Sequence, residues 1–74
     1  MDWIDVNIEQ PKNRQEVIIM DSDGKCYECY YREVMSDYVA EDHAFQFKRK
    51  VDIIPEFEDH LKIITHWIPI HKNS

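Results

Sequence analysis

The 74-residue chain is predicted to form one mainly β domain spanning residues 1–74. β-Branched and aromatic residues fill its apolar segments, as is typical of strands. One Asp-Gly pair separates two such segments, and this pair is the strongest short hairpin signal. We expect a small antiparallel sheet or a partly open barrel of about four to five strands, with one short helix allowed. An α+β fold is the alternative.

The best-defined element is a hairpin in the first half of the chain. Glu16–Met20 is apolar on both faces, which predicts a central strand. Asp21–Gly24 is the turn, because glycine adopts a positive φ without strain. Lys25–Tyr31 is the return strand, with alternate residues from Tyr27 onward on one face. Arg32–Asp42 is mixed and acidic, and it fits a strand extension, a short helix or a loop.

Shorter patterns predict the remaining elements. Trp3–Val6 suits a sheet edge, and Phe45–Lys48 alternates as a strand with both phenylalanines on its buried face. Pro55–Leu61 fits a short helical turn, because proline suits the first helical position and carboxylates favour a helix N-terminus. Lys62–Ile68 is again β-like, and Pro69 ends it.

The charge balance argues against direct nucleic-acid binding. Fifteen Asp and Glu against nine Lys and Arg give a formal net charge of −6, whereas a phosphate-binding surface needs the opposite balance. The one basic run, Lys48, Arg49 and Lys50, is either a solvated strand end or a contact for phosphate or an acidic partner. No apolar run reaches the roughly 18 residues of a membrane span. The start of the chain lacks the pattern of a signal peptide, so we expect a cytoplasmic protein.

Cys26 and Cys29 form a Cys-x-x-Cys pattern, and in the cytoplasm both are expected to be reduced thiols. The pattern lies in a predicted strand, where residues three apart point to opposite faces. A zinc site would have to add His66 and His71, and their separation from Cys29 is far longer than in a zinc finger. We therefore expect structural thiols, no metal and no cofactor, with zinc and redox roles as alternatives.

Outside the basic run, the candidate ligand-binding residues are His66, Trp3 and Trp67. Strict alternation along the last strand places His66 with Ile64 on one face and Trp67 on the other. Each candidate is either a packed core side chain or part of a cleft that binds a ligand. The sequence contains no Gly-rich phosphate loop and no hydrolase-like Ser/His/Asp spacing, so no enzymatic activity is predicted.

Segments at both ends of the chain and in the first hairpin resemble a known family. They are Trp3-Ile4-x-Val6, Pro11, Glu16–Ile19, Asp21–Gly24 and Ile64–Pro69, which reads Ile-Thr-His-Trp-Ile-Pro. This set resembles domain-of-unknown-function family 551, which is frequent in phages and prophages. The departures are the long acidic stretch Met35–Leu61 and an Ile70-His71 pair in place of Leu-Pro. The resemblance implies a viral origin and a small β-rich fold, and it carries over no catalytic residue.

These observations favour a non-enzymatic phage or prophage accessory protein that acts by binding in the cytoplasm of a bacterial host cell. It would inhibit or sequester a host factor, with antiviral defence as the expected setting. The partner is either a basic face of a host protein or a small nucleotide-like ligand held between aromatics and the basic run. The alternatives are a structural or oligomerising viral domain and a small metal-binding or enzymatic protein.

The last predicted strand also bears on self-association. Ile63–Ile68 contains no Asp, Glu, Lys or Arg, and His66 is its one residue that can take up a proton near neutral pH. Such a segment is either a central strand of a monomer or an edge that needs covering. An edge position predicts a symmetric homodimer, because a two-fold contact covers the same edge in both copies.

Overall fold

The chain folds as a closed five-stranded barrel with one additional short strand. A computed structural model describes residues 2–42, 45–53 and 62–70. Its strands are β1 Ile4–Asp5, β2 Glu16–Asp21, β3 Cys26–Arg32, β4 Asp37–Ala40, β5 Gln46–Lys48 and β6 Lys62–Pro69, with a 3-10 helix at Lys50–Asp52. The prediction of a mainly β fold is therefore confirmed.

The barrel is closed by a parallel pairing that the sequence did not indicate. Strands β2 to β5 form an antiparallel meander, and β6 pairs antiparallel with β2 on one side. On its other side β6 pairs parallel with β5, where Phe47 faces Lys62, and antiparallel with β1. The barrel is closed rather than partly open, and closure removes the unpaired edges of an open sheet.

The predicted hairpin is confirmed, with β2 and β3 paired antiparallel from Glu16 opposite Tyr30 to the turn. The buried carboxylate of Asp21 shapes this turn. Its Oδ1 accepts hydrogen bonds from the backbone N–H groups of Asp23 and Lys25, each at 2.9 Å. Gly24 has φ of 85°, a backbone conformation that residues with a Cβ rarely adopt. The turn is therefore specified by a carboxylate and a glycine that stand close together in sequence.

The barrel interior holds one cluster of buried side chains. It comprises Val6, Val17, Ile19, Cys29, Tyr31, Tyr38, Ala40, Phe47, Ile64 and Trp67. Phe47 is fully buried, whereas Phe45 is 43% exposed. The prediction that both phenylalanines face the core is thus wrong for Phe45, because β5 begins only at the next residue and Phe45 belongs to the preceding loop.

Strand β6 contains an irregularity that overturns the expected strict alternation. Neighbouring residues of β2 face His66 and Ile64, which leaves Thr65 as an extra residue, as in a β-bulge. The Thr65 hydroxyl donates a hydrogen bond to the Met20 carbonyl at 3.2 Å. Because the bulge resets the alternation, Ile64 and Trp67 are both buried in the interior although they are three residues apart.

The structure also decides between the alternatives left open for several segments. Arg32–Asp42 contains a strand, β4, rather than a helix. β6 is a central strand with neighbours on both sides, so it offers no free edge for the expected contact between two copies, and the homodimer stays a prediction.

Pro55–Leu61, the suggested helical turn, lies outside the described residues. Within the described part of the chain, no helix is long and apolar enough to cross a membrane.

Candidate functional site

The aromatic and histidine candidates lie on β6 and just before β1, and each of them is buried or half-buried. Trp67 is buried, and its indole Nε1–H donates to the Glu9 carbonyl at 2.9 Å. Trp3 is half-buried immediately before β1. The Nδ1 atom of His66 lies 3.0 Å from the Thr65 hydroxyl oxygen. The same hydroxyl lies 3.2 Å from the Met20 carbonyl oxygen, so it links the His66 ring to the backbone of β2.

The central cation of the basic run is paired with a carboxylate. Arg49 is bound by Asp52 through two hydrogen bonds, from Nε at 2.6 Å and from Nη2 at 3.2 Å. Hydrogen bonding to Asp52 also raises the pKa of Arg49 above its usual value. Lys48 is half-buried at the end of β5, and Lys50 is exposed in the 3-10 helix. A nucleotide-like ligand would therefore compete with a carboxylate for the central cation of this run.

A different part of the barrel has the geometry of a binding site. A concavity of about 250 Å³ opens at the end of the barrel that carries the β4–β5 loop. It is lined by Tyr27, Glu28, Ala40, Glu41, Asp42 and Phe45. We call it the acidic concavity, because three of the six lining residues that the structure describes are acidic, and the other three are aromatic or small and apolar.

Pairing between β3 and β4 builds the acidic concavity. Cys29 lies opposite Ala40, so the next pair along the two strands is Glu28 and Glu41. The Glu41 N–H donates to the Glu28 carbonyl at 3.1 Å, which fixes these residues side by side. The Ala40 N–H donates to the Phe45 carbonyl at 3.0 Å and holds the far end of the loop against β4. Like charges on neighbouring positions of two strands repel, and a bound cation relieves this repulsion.

Aromatic rings form the apolar wall of the acidic concavity. The Phe45 ring lies 6.2 Å from the Tyr27 ring, and Tyr27 in turn lies 4.9 Å from the buried Phe47 ring. Lys62, at the start of β6, places its Nζ atom 5.1 Å from the centre of the Phe45 ring. This distance is within the range of a cation–π interaction, so the ring already attracts one ammonium group of the chain itself.

The Cys29 thiol is buried on β3, opposite Ala40 of β4. Burial, and then the charges of Glu41 and Asp42, raise the pKa of Cys29 from 9.0 to about 12. Cys26 is exposed and Cys29 is buried, as expected for residues three apart on a strand. Within the described ranges, no group of three His, Cys, Asp or Glu side chains is placed to hold a metal ion. His71 of the suggested zinc set lies outside those ranges.

The raised pKa of Cys29 predicts a loss of stability at alkaline pH. The folded state favours the neutral thiol, so this stabilisation is complete below pH 9 and declines as the pH rises from 9 towards 12. The free energy of unfolding is expected to fall by about 1 kcal/mol between pH 9 and pH 10 on this account. Urea unfolding under reducing conditions at several pH values measures the slope.

Substitution separates Cys29 from other groups that titrate at alkaline pH. In Cys29→Ala, the free energy of unfolding should fall by about 1 kcal/mol less between pH 9 and pH 10 than in the wild-type chain. The packing that the substitution removes lowers the stability at both pH values, so it does not change this difference. Cys26→Ala, at the exposed cysteine of the same strand, should keep the wild-type slope. An unchanged slope in Cys29→Ala would show that the thiol ionises as readily in the folded chain as in the unfolded one.

None of the six candidates from the sequence lines the acidic concavity, and their role in binding stays a prediction. A second concavity of about 210 Å³, lined by Asp21, Ser22, Asp23, Lys62 and Ile63, does not contain them either. The residues of the acidic concavity were not identified beforehand, because Glu28 and Glu41 are distant in sequence. The available signal was the pair Glu41-Asp42 beside Phe45, which places charge next to an exposed aromatic residue.

Comparison with family models, curated proteins and solved structures finds no match to this chain. The resemblance to domain-of-unknown-function family 551 accordingly stays a prediction. The candidate site is therefore assigned from its own geometry and charge.

Proposed function

We propose that this chain is a non-enzymatic binding protein whose acidic concavity engages a basic face of a partner protein. The observation that carries the proposal is the placement of Glu28, Glu41 and Asp42 around the aromatic wall of Tyr27 and Phe45. Carboxylates beside the exposed ring of Phe45 suit the cationic side chains of a protein surface. The family resemblance supports a phage or prophage origin, with a host defence factor in the bacterial cytoplasm as the partner.

Long-range electrostatics support the same assignment. The chain carries a formal net charge of −6, which attracts a basic partner from a distance and accelerates its encounter. At short range, Glu28 and Glu41 occupy paired positions on adjacent strands, where two negative charges are unfavourable. Binding of a basic surface thus removes an unfavourable interaction of the free protein as well as adding a favourable one.

The same charges argue against the nucleotide-like ligand that the sequence left open. A phosphate in the acidic concavity would face three carboxylates. At the basic run, a phosphate would have to compete with Asp52 for Arg49. A basic protein surface is therefore the ligand that the geometry favours.

The test begins with affinity capture from a bacterial lysate, followed by reconstitution of the complex from the purified captured protein. Calorimetry should show a basic partner whose affinity falls as salt is added. The double variant Glu28→Gln/Glu41→Gln should weaken binding by about tenfold or more, since it removes charge from the contact.

The matched control is Glu9→Gln/Glu33→Gln, which removes the same number of charges at exposed positions outside the acidic concavity. It should change the affinity by about twofold or less, because only long-range attraction is reduced. Equal weakening by both double variants would show that binding depends on the net charge of the chain and not on the acidic concavity. A captured partner that binds through an acidic surface would contradict it outright.

A further inference from the structure

We propose that the outer side of strands β6, β2 and β3 is the docking surface for a basic amphipathic helix of the partner. This inference rests on the proposed function and names the element of the partner that binds. Its starting point is β2, where residues 17–20 are all apolar. In a barrel only one face of a strand meets the core, so half of these apolar side chains lie outside it.

The register of β1, β6 and β2 shows which apolar side chains share the outer side. Ile18 is half-buried and alternates with the buried residues of β2, so it points outward. Ile68 of β6 lies opposite Ile18. Ile4 packs against the core, and continuing the β1–β6 register by one residue places the outward-pointing Trp3 opposite Ile68. One apolar row therefore crosses three neighbouring strands.

Half-buried residues extend this row along the strands. Met20 and His66 form the next outward pair between β2 and β6, and Tyr30 points outward from β3. Arg14 lies over the Tyr30 ring, 5.7 Å from its centre, and ends the surface there. The outer apolar face thus comprises Trp3, Ile18, Met20, Tyr30, His66 and Ile68. Every described strand belongs to the barrel wall, so no second sheet covers this face in the described part of the chain.

Acidic residues border the outer apolar face and define its occupant. Glu28 of β3 lies opposite Ile18 and is itself paired with Glu41. Asp5 of β1 lies opposite His66. An apolar surface with an acidic border fits a partner surface with an apolar centre and cationic edges. A second copy would bring a like border and a second net charge of −6 against this one, so charge favours a basic partner.

A helix fits the outer apolar face better than an added strand. Strands β6, β2 and β3 are each paired on both sides, so they offer no free main-chain edge to a strand. A helix satisfies its own backbone hydrogen bonds and presents only side chains. Three strands span about 10 Å, which matches the diameter of a helix. Apolar residues three and four apart on the helix would cover Ile18 and Ile68, with Lys or Arg directed towards Glu28 and Asp5.

Three peptides test the inference on the wild-type protein. The first has about 18 residues, or five helical turns, with leucines on one face and lysines on the other. The second contains the same residues in an order that scatters the leucines around the helix, and the third has glutamate in place of lysine. In NMR titrations the first peptide should shift the amides of residues 18, 28, 66 and 68 and bind about tenfold more tightly than the second. The third should not bind measurably.

Two variants then assign the contacts. Ile18→Thr keeps a β-branched residue in the strand and should weaken the first peptide by about fivefold, since apolar contact is lost. Glu28→Gln should weaken it by about threefold. Val34→Thr makes a similar change at a residue that is 92% exposed in the turn between β3 and β4, and its effect should stay below about twofold. Because the peptide series uses the wild-type chain, a variant that fails to fold leaves the peptide comparison intact.

The outcomes separate this inference from the proposed function. Equal affinity of the two leucine–lysine peptides, shifts confined to residues outside the outer apolar face, or an unchanged affinity in Ile18→Thr would each overturn it. A dimer in light scattering that Ile18→Thr dissociates would also overturn it, because a second copy would then occupy the face. If a basic partner depends on Glu28 and Glu41 but not on Ile18, the proposed function stands without this inference. If the first peptide binds as expected but no basic partner depends on the two glutamates, the docking surface is real and the proposed function is wrong.

Discussion

Phe47→Ala is expected to lower the free energy of unfolding by about 3 to 5 kcal/mol, as large-to-small substitutions of buried phenylalanine do. Phe47 is the only buried side chain of the three-residue strand β5. Its ring lies 4.9 Å from that of Tyr27, and its backbone pairs with both Tyr38 and Lys62. Without this ring, no fully buried side chain anchors β5, the strand that joins β4 to β6, to the core. Urea unfolding followed by tryptophan fluorescence measures the loss.

The neighbouring aromatic residue provides the control. Phe45→Ala removes a ring that is 43% exposed and should cost about 1 kcal/mol or less. A domain of this length has a total stability of about 4 to 11 kcal/mol, so the first variant approaches global unfolding and the second does not. Equal losses in the two variants would mean that β5 does not close the barrel.

The hairpin was predictable from the sequence because its determinants are local. The carboxylate of Asp21 and the positive φ of Gly24 act within one turn, and the β-branched run of Glu16–Met20 marks a strand by itself. Charge and composition likewise predicted a folded acidic domain. In each case the interacting groups are neighbours in the chain, so their chemistry can be read without knowledge of the fold.

Closure of the barrel and the shape of β6 depend on contacts between distant segments. The parallel pairing of Phe47 with Lys62 has no local signal, since either strand alone is compatible with an open sheet. The bulge at Thr65 is equally hidden, because Ile64–Trp67 reads as a regular strand until the register with β2 is known. This is why strict alternation assigned Ile64 and Trp67 to opposite faces.

The candidate site was missed for the same reason. Glu28 and Glu41 become neighbours only through the register of β3 with β4, and the exposure of Phe45 depends on where β5 begins. The residues favoured from the sequence, Trp67 and Arg49, are conspicuous types, but one is buried and the other is paired with a carboxylate. Residue type alone does not distinguish a side chain used for packing from one available to a ligand.

Arg32→Met is expected to lower the free energy of unfolding by about 2 to 3 kcal/mol. Arg32 and Asp37 face each other across β3 and β4, and Arg32 Nε donates to Asp37 Oδ1 at 2.8 Å while Nη2 donates to Oδ2. The Asp37 side chain is only 2% exposed, whereas that of Arg32 is 29% exposed. Hydrogen bonding to Asp37 also raises the pKa of Arg32 above its usual value. Thermal and urea unfolding at pH 7 measure the change.

The expected loss comes from the carboxylate that is left behind rather than from the arginine that is removed. The double variant Arg32→Met/Asp37→Asn should therefore recover part of the stability, because no unpaired charge remains buried. Arg49→Met is the matched control, since Arg49 and Asp52 are both about a quarter exposed and water can solvate the remaining carboxylate. It should cost about 1 kcal/mol or less. Equal losses for Arg32→Met and Arg49→Met would show that burial of Asp37 adds nothing to the strength of its ion pair.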